Sequence, residues 1–343
     1  MKTSLVVPLG ALIAVTGCGY RVTTYGGPAP AEEEEEVEVT EETPSDDDDS
    51  SAPVEEEEPP EQPEEEPEEP EEPEEPVGLT DFGQRGPHVV SEEEATASVS
   101  DCANMEYTAY VPEGVTDPPV VVLGHGFARG AGVMAGWADH LASWGVEVLL
   151  PTLCHYNILW GVDHEMNGQN MVELGESRGA TEVVYAGHSA GGLAAIIAAS
   201  QDADSPGVLG LDTTDTEDAP GVADFIGQQY ASDVTTGFFL MGEPSGCNAE
   251  NNGLALFQMM GDSQIVKVTS ADHCDFESPT DVLCEANCLN PNVTFTDPEI
   301  RSTILTLGTA AIISLADVSP DGALLWTPEG LEEWTNTGLI QEL

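Results

Sequence analysis

The chain has 343 residues, with 7 Lys plus Arg against 65 Asp plus Glu and a formal net charge of −58. Phosphate neutralisation needs clustered Lys and Arg, so this balance excludes nucleic acid as a partner and adsorption to an anionic surface through a basic patch. Charge is unevenly spread: 26 acids lie between Pro28 and Val77, while residues 78–343 keep 39 acids against 5 bases (Arg85, Arg129, Arg178, Lys267, Arg301), a net of −34.

The N-terminus reads Met1-Lys2-Thr3, then an apolar run from Leu5 to Val15 broken by Pro8. One positive charge, an apolar stretch of about 10 residues and small residues beyond it make a secretory signal peptide over residues 1–17. The run is shorter than the roughly 20 apolar residues of a membrane-spanning helix. The stretch Val15-Thr16-Gly17-Cys18 resembles a bacterial lipobox. That resemblance implies that Cys18 is diacylated, heads the mature chain and anchors residues 18–27 to a membrane. Gly19 in place of Asp implies onward export to an outer membrane or cell surface.

Residues 28–77 interleave Glu with Pro and hold no basic residue. Such a segment buries too little apolar surface to offset its chain entropy, so it reads as a disordered spacer, extended by up to roughly 3 Å per residue. Asp46 to Asp49 read as solvated charge rather than a calcium site. Beyond Cys18, six cysteines remain: Cys102, Cys154, Cys247, Cys274, Cys284 and Cys288. An even number in an exported domain points to disulfides, with one expected to staple the loop around Cys274, Cys284 and Cys288. Zinc is the weaker reading of the Cys284-x3-Cys288 spacing.

The 266 residues from 78 to 343 suffice for one large α/β domain, expected to be a monomer. From Tyr107 strand-like and helix-like segments alternate. Pro119–Leu123 is a continuous β-branched strand, as in a parallel sheet covered on both faces. A helix over Met134–Trp144 follows, with Trp137, Leu141 and Trp144 on one face and Gly145 as its stop. Then come a strand Val146–Leu150, a helix Asn167–Arg178, a strand Thr181–Ala186 and a helix Ala190–Ser200. Strands Val208–Leu211, Gly237–Met241 and Ile265–Val268 complete the predicted set, and Ile304–Leu315 is read as a closing helix. The pattern predicts a mostly parallel sheet with helices on both faces.

Gly187-His188-Ser189-Ala190-Gly191-Gly192 satisfies G-x-S-x-G between a buried strand and an apolar helix, which makes Ser189 the candidate nucleophile. A serine hydroxyl is a poor nucleophile unless a base and an orienting acid activate it. Gly124-His125-Gly126-Phe127 follows an earlier strand, so the backbone N–H groups of Phe127 and Ala190 are the candidate oxyanion hole. Among seven histidines (His88, His125, His140, His155, His164, His188, His273) only His273 lies beyond a late strand, where the base belongs in the order Ser…Asp…His. Asp212 leads as the acid, with Asp215 and Glu243 as alternatives.

These residues resemble the chlorophyllase-like and bacterial polyester-hydrolase (cutinase-like) branch of the α/β-hydrolase superfamily, from about Asn104 to Ala316. The resemblance rests on Tyr110-Val111-Pro112, the HGF loop, Ala142-Ser143-Trp144-Gly145, the GHSAGG elbow, Gly210-Leu211-Asp212, the Cys247–Asn252 segment and the block around His273. It implies an α/β-hydrolase fold, carboxylic ester hydrolysis without a cofactor or metal, and Asp212 as the acid. The family motif continues Asp-Pro-Val, whereas here Thr213-Thr214-Asp215 follows, which keeps Asp215 open. A surface at −34 repels anionic substrates, so a neutral small-molecule ester, lipid or polyester is expected. Phe127 is the expected pocket wall, with Trp137 and Trp160 weaker candidates. The Asp-, Gly- and Pro-rich stretch from Thr213 to Asp233 is expected to cover the site, its Asp215, Glu217 and Asp218 being solvated rather than calcium ligands. Rival readings are a serine peptidase or amidase of the same fold and a catalytically silent binding module.

Overall fold

The computed structural model describes residues 79–157, 161–216, 225–288, 290 and 293–343. The signal peptide, Cys18, the acidic spacer, Trp160, Glu217 and Asp218 lie outside the described residues. In chain order the elements are β1 (Val90–Val99), β2 (Cys102–Pro112), β3 (Val120–Gly124), α1 (Ala135–Ser143), β4 (Glu147–Pro151), β5 (Tyr156–Asn157), β6 (Gly161–Val162), α2 (His164–Ser177), β7 (Val183–His188) and α3 (Ala190–Gln201). They continue with β8 (Val208–Leu211), β9 (Thr236–Met241), α4 (Leu254–Phe257), β10 (Asp262–Val268), α5 (Val282–Cys288), α6 (Asp297–Leu315), α7 (Pro320–Leu325), α8 (Pro328–Thr337) and β11 (Ile340–Glu342).

Nine strands form one mixed sheet in the order β1-β2-β4-β3-β7-β8-β9-β10-β11, and β5 pairs only with β6. The six strands from β4 to β10 across the sheet run parallel, while β1, β2 and β11 pair antiparallel with their neighbours. This is the expected α/β architecture, consistent with an α/β-hydrolase-like arrangement. Side chains alternate across each strand, so one residue of a pair faces each layer. Val121, Leu123, Val184 and Ala186 pack with Trp137 and Leu141 of α1 and Ile304 and Leu307 of α6. Val120, Val122, Val183 and Tyr185 pack on the other face with Met171 of α2 and Leu193, Ile196 and Ile197 of α3. Each Val, Leu, Ile or Met among them contributes roughly 1.5–3 kcal/mol by leaving water.

The strand set is larger than the apolar runs predict. β1 reads Val-Ser-Glu-Glu-Glu-Ala-Thr-Ala-Ser-Val and is half solvated, so it carries no continuous apolar run. β2 hides in an alternating pattern, and β11 is too short to announce itself. Helix starts also move outward. Asp163 caps α2 by accepting the Met166 N–H at 3.0 Å, so the helix begins at His164, before the apolar positions. Thr296 and Glu299 form a capping box with Pro298 in the first turn, which starts α6 at Asp297. That helix does not close the chain: α7, α8 and β11 follow it. Among the described residues no helix is long and apolar enough to cross a membrane.

All six domain cysteines are bridged: Cys102 to Cys154, Cys247 to Cys288, and Cys274 to Cys284. The first ties β2 to the segment after β4. The other two both end on α5, and the sulfurs of Cys274, Cys284 and Cys288 lie within 4.8 Å of one another.

Candidate active site

Ser189 stands between β7 and α3 with φ 56° and ψ −122°. A non-glycine residue at positive φ is strained, by of order 1–3 kcal/mol, and is kept only where its surroundings force it. Here the glycines remove every Cβ that would block the turn. A Cβ on Gly187 would lie 2.3 Å from the Gly191 carbonyl oxygen, and one on Gly191 would lie 2.5 Å from the backbone of Gly124 and His125. The elbow and the HGF loop therefore touch backbone to backbone, and a Cβ on Gly126 would meet the Ser189 Cβ at 3.3 Å.

The HGF loop is held by His125, which is almost fully buried. Its Nε2 accepts the Leu153 N–H at 3.1 Å, so its Nδ1 carries the proton and donates to the Gly126 carbonyl at 2.9 Å. Burial pushes this imidazole below its ordinary range and keeps it neutral. The Gly126 carbonyl also accepts the Arg129 N–H at 3.3 Å. Because the peptide is planar and trans, fixing that carbonyl leaves the Phe127 N–H pointing the opposite way. Ala190 opens α3, so its N–H has no acceptor inside the helix. Phe127 and Ala190 line one small cleft with His125, Leu153, Tyr156 and Asn167. Phe127 is 44% exposed at its mouth, whereas Trp137 is a core residue whose Nε1 donates to the Phe276 carbonyl.

The structure brings Asp212 and His273 together. Asp212 follows β8 with φ 43° and is buried, and its Oδ2 accepts the His273 Nδ1–H at 2.6 Å. Its Oδ1 accepts the Gly242 N–H at 2.9 Å. That bonding places the imidazole proton on Nδ1 and leaves Nε2 as the basic atom. His273 begins a short helical turn after β10, closed by a capping box between Asp272 and Asp275. No hydrogen bond joins Ser189 Oγ to the His273 ring among the described residues; such bonds tighten when substrate is bound. The residue before Ser189 does meet His273: the His188 ring lies 4.4 Å from that of His273, and its Nε2 donates to the His273 carbonyl at 3.0 Å.

The alternative acids lie elsewhere. Asp215 Oδ1 accepts the Thr216 and Gly227 N–H groups, tying the two ends of the loop whose residues 217–224 lie outside the described set. Burial raises its carboxyl above the ordinary range. Glu243 accepts the Ser270 N–H and pairs with Lys267 at 3.2 Å. Neither touches His273.

One residue that contacts Asp212 is not picked out by its sequence context. Asn248 is fully buried, and its Nδ2 donates to Asp212 Oδ2 at 3.1 Å and to the Glu243 carbonyl at 2.9 Å. Its Oδ1 accepts the Ser245 N–H at 2.8 Å. Three consecutive residues after it, Ala249, Glu250 and Asn251, all have positive φ. A strained non-glycine turn beside a buried amide aimed at a carboxylate is the signal, and it is a three-dimensional one. Compared with known protein families and with curated proteins, the chain matches none.

Proposed function

We propose that the domain is a serine carboxylic ester hydrolase. The observation that carries this reading is the 2.6 Å contact from His273 Nδ1 to Asp212 beside a serine held at positive φ on a strand-to-helix turn. Ser189 Oγ attacks the ester carbonyl as His273 Nε2 takes its proton. The tetrahedral oxyanion meets the N–H groups of Phe127 and Ala190, each donor being worth about 10²–10³ in kcat. Collapse expels the alcohol, which takes the proton back from His273, and leaves an acyl-Ser189. Water, deprotonated by the same imidazole, then releases the acid and restores the serine. Asp212 keeps the imidazole in the productive tautomer throughout.

The net charge of −34 over residues 78–343 disfavours anionic substrates, so the ester is neutral: a small ester, a lipid or a polyester. The lipobox-like segment ending at Cys18 supports an exported, membrane-anchored enzyme on an acidic spacer. A chain-length series of p-nitrophenyl esters, run on wild type and Ser189→Ala, tests the reading. Turnover is expected in wild type, with a loss of at least about 10³-fold in the variant. Full esterase activity in Ser189→Ala overturns the mechanism. Turnover of amides alone would favour the peptidase reading, and turnover of neither would favour a binding module.

A further inference from the structure

The turn that offers the Phe127 N–H and the turn that carries His273 come from strands far apart in sequence, yet one buried ion pair joins them. Arg129 closes the HGF turn, two residues after Phe127, with Ala128 at φ 56°. Glu277 ends the His273 turn, its N–H donating to the Cys274 carbonyl at 3.1 Å. The Arg129 Nε and Nη2 each donate to one oxygen of Glu277 at 2.7 Å, a bidentate fork. The Glu277 side chain is wholly buried and that of Arg129 is 15% exposed. Arg129 also reaches Asp281 at 3.1 Å, and no other residue makes an ion pair between these two loops among the described residues. Glu277 Oε1 further lies 3.8 Å from His188 Nδ1, in the residue just before Ser189.

A buried ion pair adds little net stability, because desolvation offsets its attraction. Cohesion between the two loops has other sources: Ser278 donates to the Val133 carbonyl, Gly136 to the Ser278 carbonyl, and Trp137 Nε1 to the Phe276 carbonyl. What the fork adds is direction, since it sets distance and angle between one residue near the oxyanion site and one near the base. Resting on the ester-hydrolase reading, we propose that Arg129 and Glu277 are positioning residues: their ion pair latches the Phe127 oxyanion turn to the His273 turn and so holds both in register with Ser189.

The test uses Glu277→Gln, Arg129→Lys, and the double variant Arg129→Gln/Glu277→Gln, which leaves no uncompensated buried charge. Active sites are titrated with a fluorophosphonate, and kcat and KM are measured per titrated site. Affinity for an arylboronic acid, which forms a tetrahedral adduct on a reactive serine, is measured in parallel. A displacement of about 1 Å costs on the order of 10²-fold, so kcat per site should fall by about that much in Glu277→Gln and in the double variant, with KM within about threefold. Boronate affinity should fall by the same factor, and Arg129→Lys, which keeps the charge but not the fork, should fall between. A merely structural pair would lower the melting temperature and the titrated fraction while leaving kcat per site and boronate affinity at wild-type values; that result overturns the latch. Wild type that neither labels at Ser189 nor turns over an ester overturns the hydrolase reading itself, a result distinct from any behaviour of the variants.

Discussion

Asp212 receives donors on both oxygens, and the identity of those donors decides how its neighbours behave when replaced. Its two strongest contacts are the His273 ring and the Gly242 N–H, and the Asn248 amide completes the set. Asp212→Asn should lower kcat by about 10⁴-fold, because an amide can present an N–H to His273 and favour the wrong tautomer. Asn248→Ala leaves the carboxylate one donor short and frees the turn after it, so kcat should fall by roughly 10-fold while KM changes little. Asp215→Asn and Glu243→Gln should keep kcat within about threefold of wild type, since neither carboxylate reaches His273. Steady-state kinetics on one p-nitrophenyl ester separates these cases. A large loss in Glu243→Gln with Asp212→Asn unaffected would move the acid to the next strand.

At the scale of elements, the His273 turn, the Asn248 turn and α5 are one covalently stapled unit. Cys247 adjoins Asn248, Cys274 adjoins His273, and their partners Cys288 and Cys284 both lie on α5. Replacing Cys274 and Cys284 by Ser opens a short loop and should cost about 3 kcal/mol of stability. The melting temperature should drop, and kcat should drop with it because His273 loses its tether; an unchanged kcat would show that the turn holds itself. This unit also shows what could be read from the sequence. The glycine-flanked Ser189 and the late His273 lie next to strong apolar strands, so period and turn chemistry locate them. The partners that hold them do not follow from period: Asn248 and Glu277 sit in irregular loops, and nothing local says that a buried amide faces β8 or that Glu277 meets an arginine from the HGF turn. The edge strand β1 was hidden for a related reason, because three consecutive glutamates read as solvated charge until a neighbour pairs with their backbone.

For the whole molecule, several buried histidines set the acid limit. Burial lowers His164 from its ordinary 6.5 to about 4. Burial also lowers His125, His140 and His188. A base with a depressed folded-state pKa contributes stability that is complete above 6.5 and is lost as pH falls towards 4, because only the unfolded chain takes up the proton. His164 alone accounts for about 1.4 kcal/mol per pH unit in that window, roughly 3 kcal/mol in all. Asp275 runs the other way: burial, opposed in part by Arg301, raises it to about 6, so its contribution falls as pH rises from 3.8 to 6. Melting temperature recorded against pH should therefore decline from pH 6.5 to 4 in wild type. His164→Gln should flatten part of that decline. Asp275→Asn should gain about 1 kcal/mol over wild type above pH 6 and nothing below pH 4, the gain being small because the amide weakens the bonds that the buried carboxylate accepts from the Asp272 N–H and Arg301.

The two borders of the sheet differ in kind. β11 closes one, and β1 forms the other with Glu92, Glu93 and Glu94 in its middle, where their mutual repulsion keeps a second chain from adding a strand. That safeguard is electrostatic and hence reversible. In a concentrated solution of high ionic strength, with these charges screened, this margin becomes adhesive, and colloidal lifetime will be set by how fast neighbouring molecules zip together there rather than by how firmly each one is folded.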